Sequence, residues 1–306
     1  MARETNQSNN ADFEVIQMPA LHPIQKEGES ARIIPNLFYN VRKDTEEILG
    51  STTDGYTLVQ NQSLMKMARE GMAKVGIENY EESTVVTQNG ARIYMSFVAK
   101  LAPLKIVGDS FGYKLTVQNS FDKSIRAGVE LGFLRLVCTN GMCSLDKIFG
   151  SSKKHNGGLL NVDYIATAIE AALAQAPESL KVYESIASVK LDNDMGIRML
   201  ENLSEKNIIS EKIKEMISIP WLTPRRKEDK PRNLYSLLNA GTEVLTHLIA
   251  PHRYEYAQGI SSQILDIFHN CKEKKYLDTW LKKPEKASKM VLSLPPVEAM
   301  VQHAAA

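Results

Sequence analysis

Cysteine is scarce in this 306-residue chain. Its three thiols, Cys138, Cys143 and Cys271, cannot all pair, and their spacings match no structural zinc pattern. A disulfide-stapled scaffold is excluded, and reduced thiols in a cytoplasm are expected. Long apolar runs are also missing: none approaches the ~20 residues that cross a bilayer. Residues 1–10 are polar, without the core of a signal peptide, and neither a myristoylation start nor a prenylation box is present. No membrane partner is expected. Nor does one sign of charge dominate. Lys+Arg 37 stand against Asp+Glu 36, so no global field draws the chain towards nucleic acid or lipid. Any such affinity must be local. What is present is 43% hydrophobic and 24% charged residues, enough for a real core and for about two domains.

Several chemistries are absent by spacing. The loop Gly150-Ser-Ser-Lys-Lys-His-Asn-Gly-Gly158 has glycines and lysines, but not the order that cradles nucleotide phosphates. Asp192-Asn-Asp-Met-Gly196 opens like a calcium loop, yet Ile197 and Leu203 occupy its sixth and twelfth places, so a carboxylate-rich helix start is the better reading. Glu243 and His247 lie four apart and His252 follows Pro251, but no His-Glu-x-x-His run is present, and an ordinary helix-end histidine is the better reading. Cys138 has no evident His and Asn partners to make it a nucleophile. Glu228-Asp229-Lys230 offers the Glu-x-Lys arm of a metal-dependent nuclease, but within a Pro-flanked connector. No catalytic residue, metal or cofactor is expected.

Periodicity gives the architecture. Residues 1–30 are polar and interrupted by Pro19 and Pro23, and read as a flexible or surface-draped arm. Over residues 1–50, five cations face eight carboxylates. Leu64, Met67, Ala68, Met72 and Val75 predict a helix, with Asn61 or Ser63 as N-cap and Gly76 as stop. Two alternating runs, 83–88 and 91–97, flank Asn89-Gly90 and predict a hairpin with a two-residue turn. Strands are expected over 111–118, 123–129 and 132–138. From Val162 the period turns helical, with Pro177 closing the first helix. Further helices fit 178–191, 194–204, 208–218, 233–249 and 254–271, broken by the connector 221–232. The expected fold is α+β: an arm over 1–30, an antiparallel-sheet domain over 31–160, a helical domain over 161–280 and a loose tail over 281–306.

Charge is uneven locally. Over residues 100–160, nine cations face four carboxylates, giving +5 within a chain of net +1. Phe111, Tyr113, Phe121, Phe133 and Phe149 are interleaved with them. Exposed together, cations and rings would make a track for single-stranded nucleic acid. The alternative is that the rings are core and the lysines solubilise an outer face.

Two stretches carry a family likeness: residues 118–124 (Gln-Asn-Ser-Phe-Asp-Lys-Ser) with 134–142 (Leu-Arg-Leu-Val-Cys-Thr-Asn-Gly-Met), and residues 233–247 followed by Tyr254-Glu-Tyr-Ala257. Over roughly residues 60–270 the chain resembles the phage/plasmid-like family, an uncharacterised domain group of prophages and conjugative elements. Lys123 stands where glycine is common in that family. The resemblance implies a mobile-element setting and, by association, DNA metabolism, but no transferable activity. Asn119, Asp122, Asn140 and Gly141 would either hold turns or touch a ligand.

The reading that follows is a non-catalytic nucleic-acid-binding protein of the bacterial host cytoplasm, an ATP-independent single-stranded DNA binder or annealer that assembles into homo-oligomers. Its proposed backbone contacts are Lys114, Lys123, Arg126, Arg135, Lys153, Lys154, Arg225 and Arg226. The alternatives are a binder and modulator of a host protein, and a metal-dependent nuclease built on Glu228 and Lys230.

Overall fold

A computed structural model of the chain describes residues 11–24, 30–135, 147–153, 161–247 and 254–282. The chain divides into two compact units. One comprises Met1–Lys105, Ser110–Leu136 and Leu145–Ser179; the other comprises Ile106–Asp109, Val137–Ser144 and Leu180–Ala306. Antiparallel sheets occupy the N-terminal half and helices the C-terminal half, an α+β fold as the periodicities predict.

The expected arm needs correction. Within it lies β1 (Val15–Leu21), which joins β2 (Ile33–Arg42) and β3 (Ile48–Thr52) in a three-stranded sheet of that order. Distant residues fix it. Gln60 accepts from the Val15 amide (3.1 Å) and donates to its carbonyl (2.6 Å), and Asn61 donates to the Ala11 carbonyl (3.2 Å). Phe13 is buried beside Phe121, with the Arg42 guanidinium 4.0 Å above its ring. Local composition cannot show bonds that span 45 residues or more. The same contacts explain a second difference. Helix α1 (Asn61–Lys74) starts after Gln60, and neither Asn61 nor Ser63 is its N-cap; the Gln60 side chain makes no cap bond because it is spent on β1.

The second sheet runs β4 (Tyr80–Thr87), β5 (Arg92–Ile106), β6 (Asp109–Ser120), β7 (Ala127–Arg135) and β8 (Lys147–Lys153), neighbours in chain order. The hairpin at Asn89-Gly90 is present, but Thr87 pairs with Arg92, so four residues turn the chain rather than two. Gln88, Asn89 and Gly90 all take positive φ, and a Cβ on Gly90 would stand 3.1 Å from the Phe13 ring. A two-residue turn with positive φ appears one hairpin later, at Val107 and Gly108.

The strands expected over 123–129 and 132–138 meet in the single strand β7 across residues 129–132, and residues 136–138 lie outside the described residues. Pairing of β6 with β7 is unbroken from Gln118↔Gly128 to Phe111↔Arg135, which leaves 123–126 as a loop. Residues 150–153 of the expected basic loop belong to β8, paired with β7, and residues 154–158 lie outside the described residues. Being central, β6 is buried on nearly every residue of both faces.

Helix α2 (Val162–Ser188) continues through Pro177, where a stop was expected. A mid-helix proline costs ~3 kcal/mol. Here buried residues on both sides, Ala172 and Ala176 before it, Leu180 and Tyr183 after it, offset that cost. Then come α3 (Asn193–Glu205), α4 (Glu211–Leu222), α5 (Leu234–His247), α6 (Tyr254–Asn270) and α7 (Lys274–Trp280), the last not anticipated. Asp192 caps α3 by accepting from the Met195 amide (2.6 Å), the role the failed calcium pattern implied. Gly196 lies close against the Trp221 indole, leaving no room for a Cβ. Asn202 donates to the carbonyls of Trp280 (2.8 Å) and Lys282 (3.0 Å), tethering the end of α7.

Candidate nucleic-acid interface

The stretch from Gln118 to Ser124 ends β6 and turns towards β7, and nearly every polar group in it is spent on structure. Asn119 donates to the Val59 carbonyl (2.9 Å) and to the Asn61 side chain (3.1 Å). The Ser120 hydroxyl donates to the Ile125 carbonyl (2.7 Å) and accepts from its amide (3.2 Å), closing the loop. The Ser120 carbonyl accepts from Tyr56 (2.9 Å) and the Phe121 carbonyl from the fully buried Asn40 (2.7 Å). The Phe121 amide donates to the Ala91 carbonyl (2.8 Å). One Asp122 oxygen accepts from the amide (2.9 Å) and the hydroxyl of Ser124; the other accepts from Arg92 (3.2 Å). Gly50 sits so close that a Cβ would fall 2.6 Å from the Asp122 Cα. Lys123 has a φ of 65°, in the left-handed region that favours glycine.

Two titrating groups record this environment. Burial alone would raise the Asp122 carboxyl, but Ser124 and Arg92 together outweigh it and hold the carboxyl below the usual range. Burial, with Asp122 nearby, pushes the Tyr56 phenol up. Asn119 and Asp122 therefore hold a turn. Asn140 and Gly141 lie outside the described residues. Gln60, Asn40, Tyr56 and Arg92, which secure this region, were not singled out from sequence, and no local signal marks them.

The eight proposed cations do not form one strip. Lys114 is 3% exposed on central β6, away from the surface where a phosphate would lie. Lys123 and Arg126 are exposed in the β6–β7 loop and face no carboxylate among the described residues. The register sets the Lys153 backbone opposite Ala127, next to Arg126, at the same end of the sheet. Arg135 ends β7 opposite Phe111, roughly 27 Å along the strand from Ala127. The side chains of Arg135 and Lys153, and all of Lys154, lie outside the described residues. In the other unit, Arg225 is exposed, whereas Arg226 is shared between Asp229 (3.8 Å) and Glu243 (3.7 Å).

The interleaved rings are core. Phe111, Tyr113, Phe121 and Phe133 are each at most 8% exposed, and both Phe111 and Tyr113 meet Phe133 with ring centroids about 6 Å apart. The Phe149 side chain lies outside the described residues. No base can stack on the four described rings, and the alternative of buried aromatics is correct for them.

Elsewhere, Glu228 and Asp229 of the Glu228–Lys230 arm lie in a turn, not on a strand. Asp229 is 9% exposed and accepts from Asn239 (3.0 Å). Among the described residues no group of three His, Cys, Asp or Glu side chains could hold a metal, and no helix is long and apolar enough to cross a membrane. Burial pushes the Cys271 thiol up to about 12. A cleft of about 380 Å³ between α1 and β4 is lined by Asp12, Gln62, Met65, Arg69, Glu82, Ser83 and Thr84. Its charged groups already satisfy one another: Arg69 clasps Glu82 through two bonds (2.6 and 2.8 Å), and Gln62 donates to Asp12.

A family model described as a domain of unknown function (DUF932) matches residues 48–263, which covers most of both units. No curated protein and no solved structure matches the chain.

Proposed function

We propose that this chain, which belongs to the DUF932 family, binds nucleic acid without catalysis through phosphate contacts at the β6–β7 end of its larger sheet. The supporting observation is an imbalance of pairing. In the same unit Lys43, Lys66, Arg69, Lys74, Arg92 and Lys100 each stand within 4 Å of a carboxylate. Among the described residues Lys123 and Arg126 have no such partner, and the backbone of Lys153 lies beside them. Positive charge left uncompensated on a loop held rigid from below is suited to a polyanion.

Annealing by base stacking loses its support with the burial of the four rings, so the reading narrows to contact with phosphates. The resemblance to phage/plasmid-like proteins supports a reading in which the partner is mobile-element DNA in a bacterial cytoplasm. The experiment is fluorescence anisotropy with single-stranded and duplex DNA across a salt series, on the wild type and on Lys123→Glu/Arg126→Glu. Affinity is expected to fall steeply with salt. The double variant should bind at least tenfold more weakly, with a salt slope on single strands smaller by roughly 1.4. Affinity indifferent to both salt and charge reversal would overturn the reading, as would purification with one stoichiometric host protein and no nucleic acid.

A further inference from the structure

We propose that the Tyr276–Trp280 face of α7, together with the end of α3, takes up unpaired bases of single-stranded DNA. Tyr256 and Tyr276 are the aromatic side chains most open to solvent among the described residues, at 44% and 43%. Tyr276 has a second ring beside it. Trp280, half-buried, follows four positions later, so the two project from one face of the helix. Each ring carries a cation. The Lys275 amine stands 4.7 Å from the centre of the Tyr276 ring, and the amine of Lys206, at the C-terminal end of α3, stands 5.0 Å from that of Trp280. No residue of α7 is buried, yet the helix is held. Asn202, one turn before Lys206, donates to the carbonyls of Trp280 (2.8 Å) and Lys282 (3.0 Å), which sets the two rings on a fixed base.

The charge around these rings favours a nucleic-acid strand as the occupant. Lys206 and Lys282 are exposed and have no carboxylate partner among the described residues. Lys275 is engaged by Glu273 (2.9 Å), and Asp278, two positions from either ring, falls on the far side of the helix. From Lys272 to Lys289 seven cations face three carboxylates, giving +4 within a chain of net +1. Cations alone attract any polyanion. Open rings beside them select one that carries bases, because every base has a face that stacks. Phe111, Tyr113, Phe121 and Phe133 of the larger sheet cannot serve in this way, being buried. A duplex keeps its bases stacked on one another, so the occupant is a single strand. α7 lies beyond the family match, which ends at residue 263, and the choice of DNA rests on the reading above.

The chain has two tryptophans, and Trp221 is 1% exposed, so quenching of tryptophan fluorescence reports on Trp280. In the full chain an oligothymidylate of about ten nucleotides should quench it, and a duplex of the same length should not. Lys123→Glu/Arg126→Glu should retain the quench at saturating oligonucleotide, and Trp280→Phe should lose it. Tyr276→Ala should bind the single strand at least about fivefold more weakly, with duplex affinity within about twofold and the unfolding midpoint unchanged. Tyr276→Phe, which keeps the ring, should bind like the wild type. The proposal is overturned if saturating oligothymidylate leaves the fluorescence unchanged or if a polyglutamate peptide quenches it as strongly. It is also overturned if oligouridylate binds more tightly, or if Tyr276→Ala weakens single strand and duplex alike. DNA binding that is lost on reversing Lys123 and Arg126, with no quenching in the wild type, leaves the phosphate reading standing and this one fallen. Quenching that persists while that reversal leaves duplex affinity intact does the opposite.

Discussion

The two antiparallel sheets of the first unit finish their faces differently. The five-stranded sheet encloses its centre so fully that even Lys114 is 3% exposed, and its rings Phe111, Tyr113 and Phe133 lie in the core. The three-stranded sheet covers one face and leaves the other open, with Ile48 at 61% and Met18 at 48%. Both sheets are built from alternating strands with comparable apolar content. Alternation sets which residues share a face; it does not set whether anything covers that face.

Substitutions of similar chemistry in the two sheets test this contrast. Phe133→Ala, at a side chain with no exposure, should cost about 3–5 kcal/mol in denaturant unfolding. Ile48→Thr should stay within about 0.5 kcal/mol. Comparable losses at both positions would mean that the outer face of the small sheet is covered within a single chain. Next in size is Lys114→Met. Burial with its interactions broken should cost about 3 kcal/mol, while DNA affinity changes less than twofold. A large fall in affinity without loss of stability would return Lys114 to the proposed binding surface.

The smallest effect sharpens the join between the sheets, where Asn40 and Gly50 of one meet Phe121 and Asp122 of the other. The Asp122 carboxyl is held lower in the folded chain than in the unfolded one, so the folded state binds fewer protons there. Its contribution is complete above the unfolded value near ~3.9 and fades as pH falls through the lower folded value. Asp122→Asn should therefore flatten the acid limb of the stability–pH curve by less than about 1 kcal/mol and leave neutral DNA binding unchanged. An unaltered acid limb would show that Arg92 and Ser124 do not hold the carboxylate in solution.

Much of the fold was legible locally. The hairpin at Asn89-Gly90, α1, and the helices after Val162 follow from period and turn chemistry. Pro177 misled because a local penalty was weighed without the buried residues that offset it. The run from Lys123 to Cys138 was divided because Glu130 and Gly132 interrupt its apolar pattern, although the pairing with β6 runs straight through. β1 was hidden by Pro19 and polar neighbours; Gln60 and Asn61, which pin it, are 45–50 residues away. The candidate site was legible only in part. Lys123 and Arg126 were named from charge, but so was Lys114, which no count of charges could distinguish from them.

Residue order alone settled the α+β division, most helix spans and the surplus of cations between 100 and 160. Which cations meet solvent, which rings are enclosed and which sheet face stays open were decided only by tertiary structure. Period and turn propensity act over a few neighbouring residues. Burial sums contributions from partners far apart in the chain, and no local pattern contains that sum.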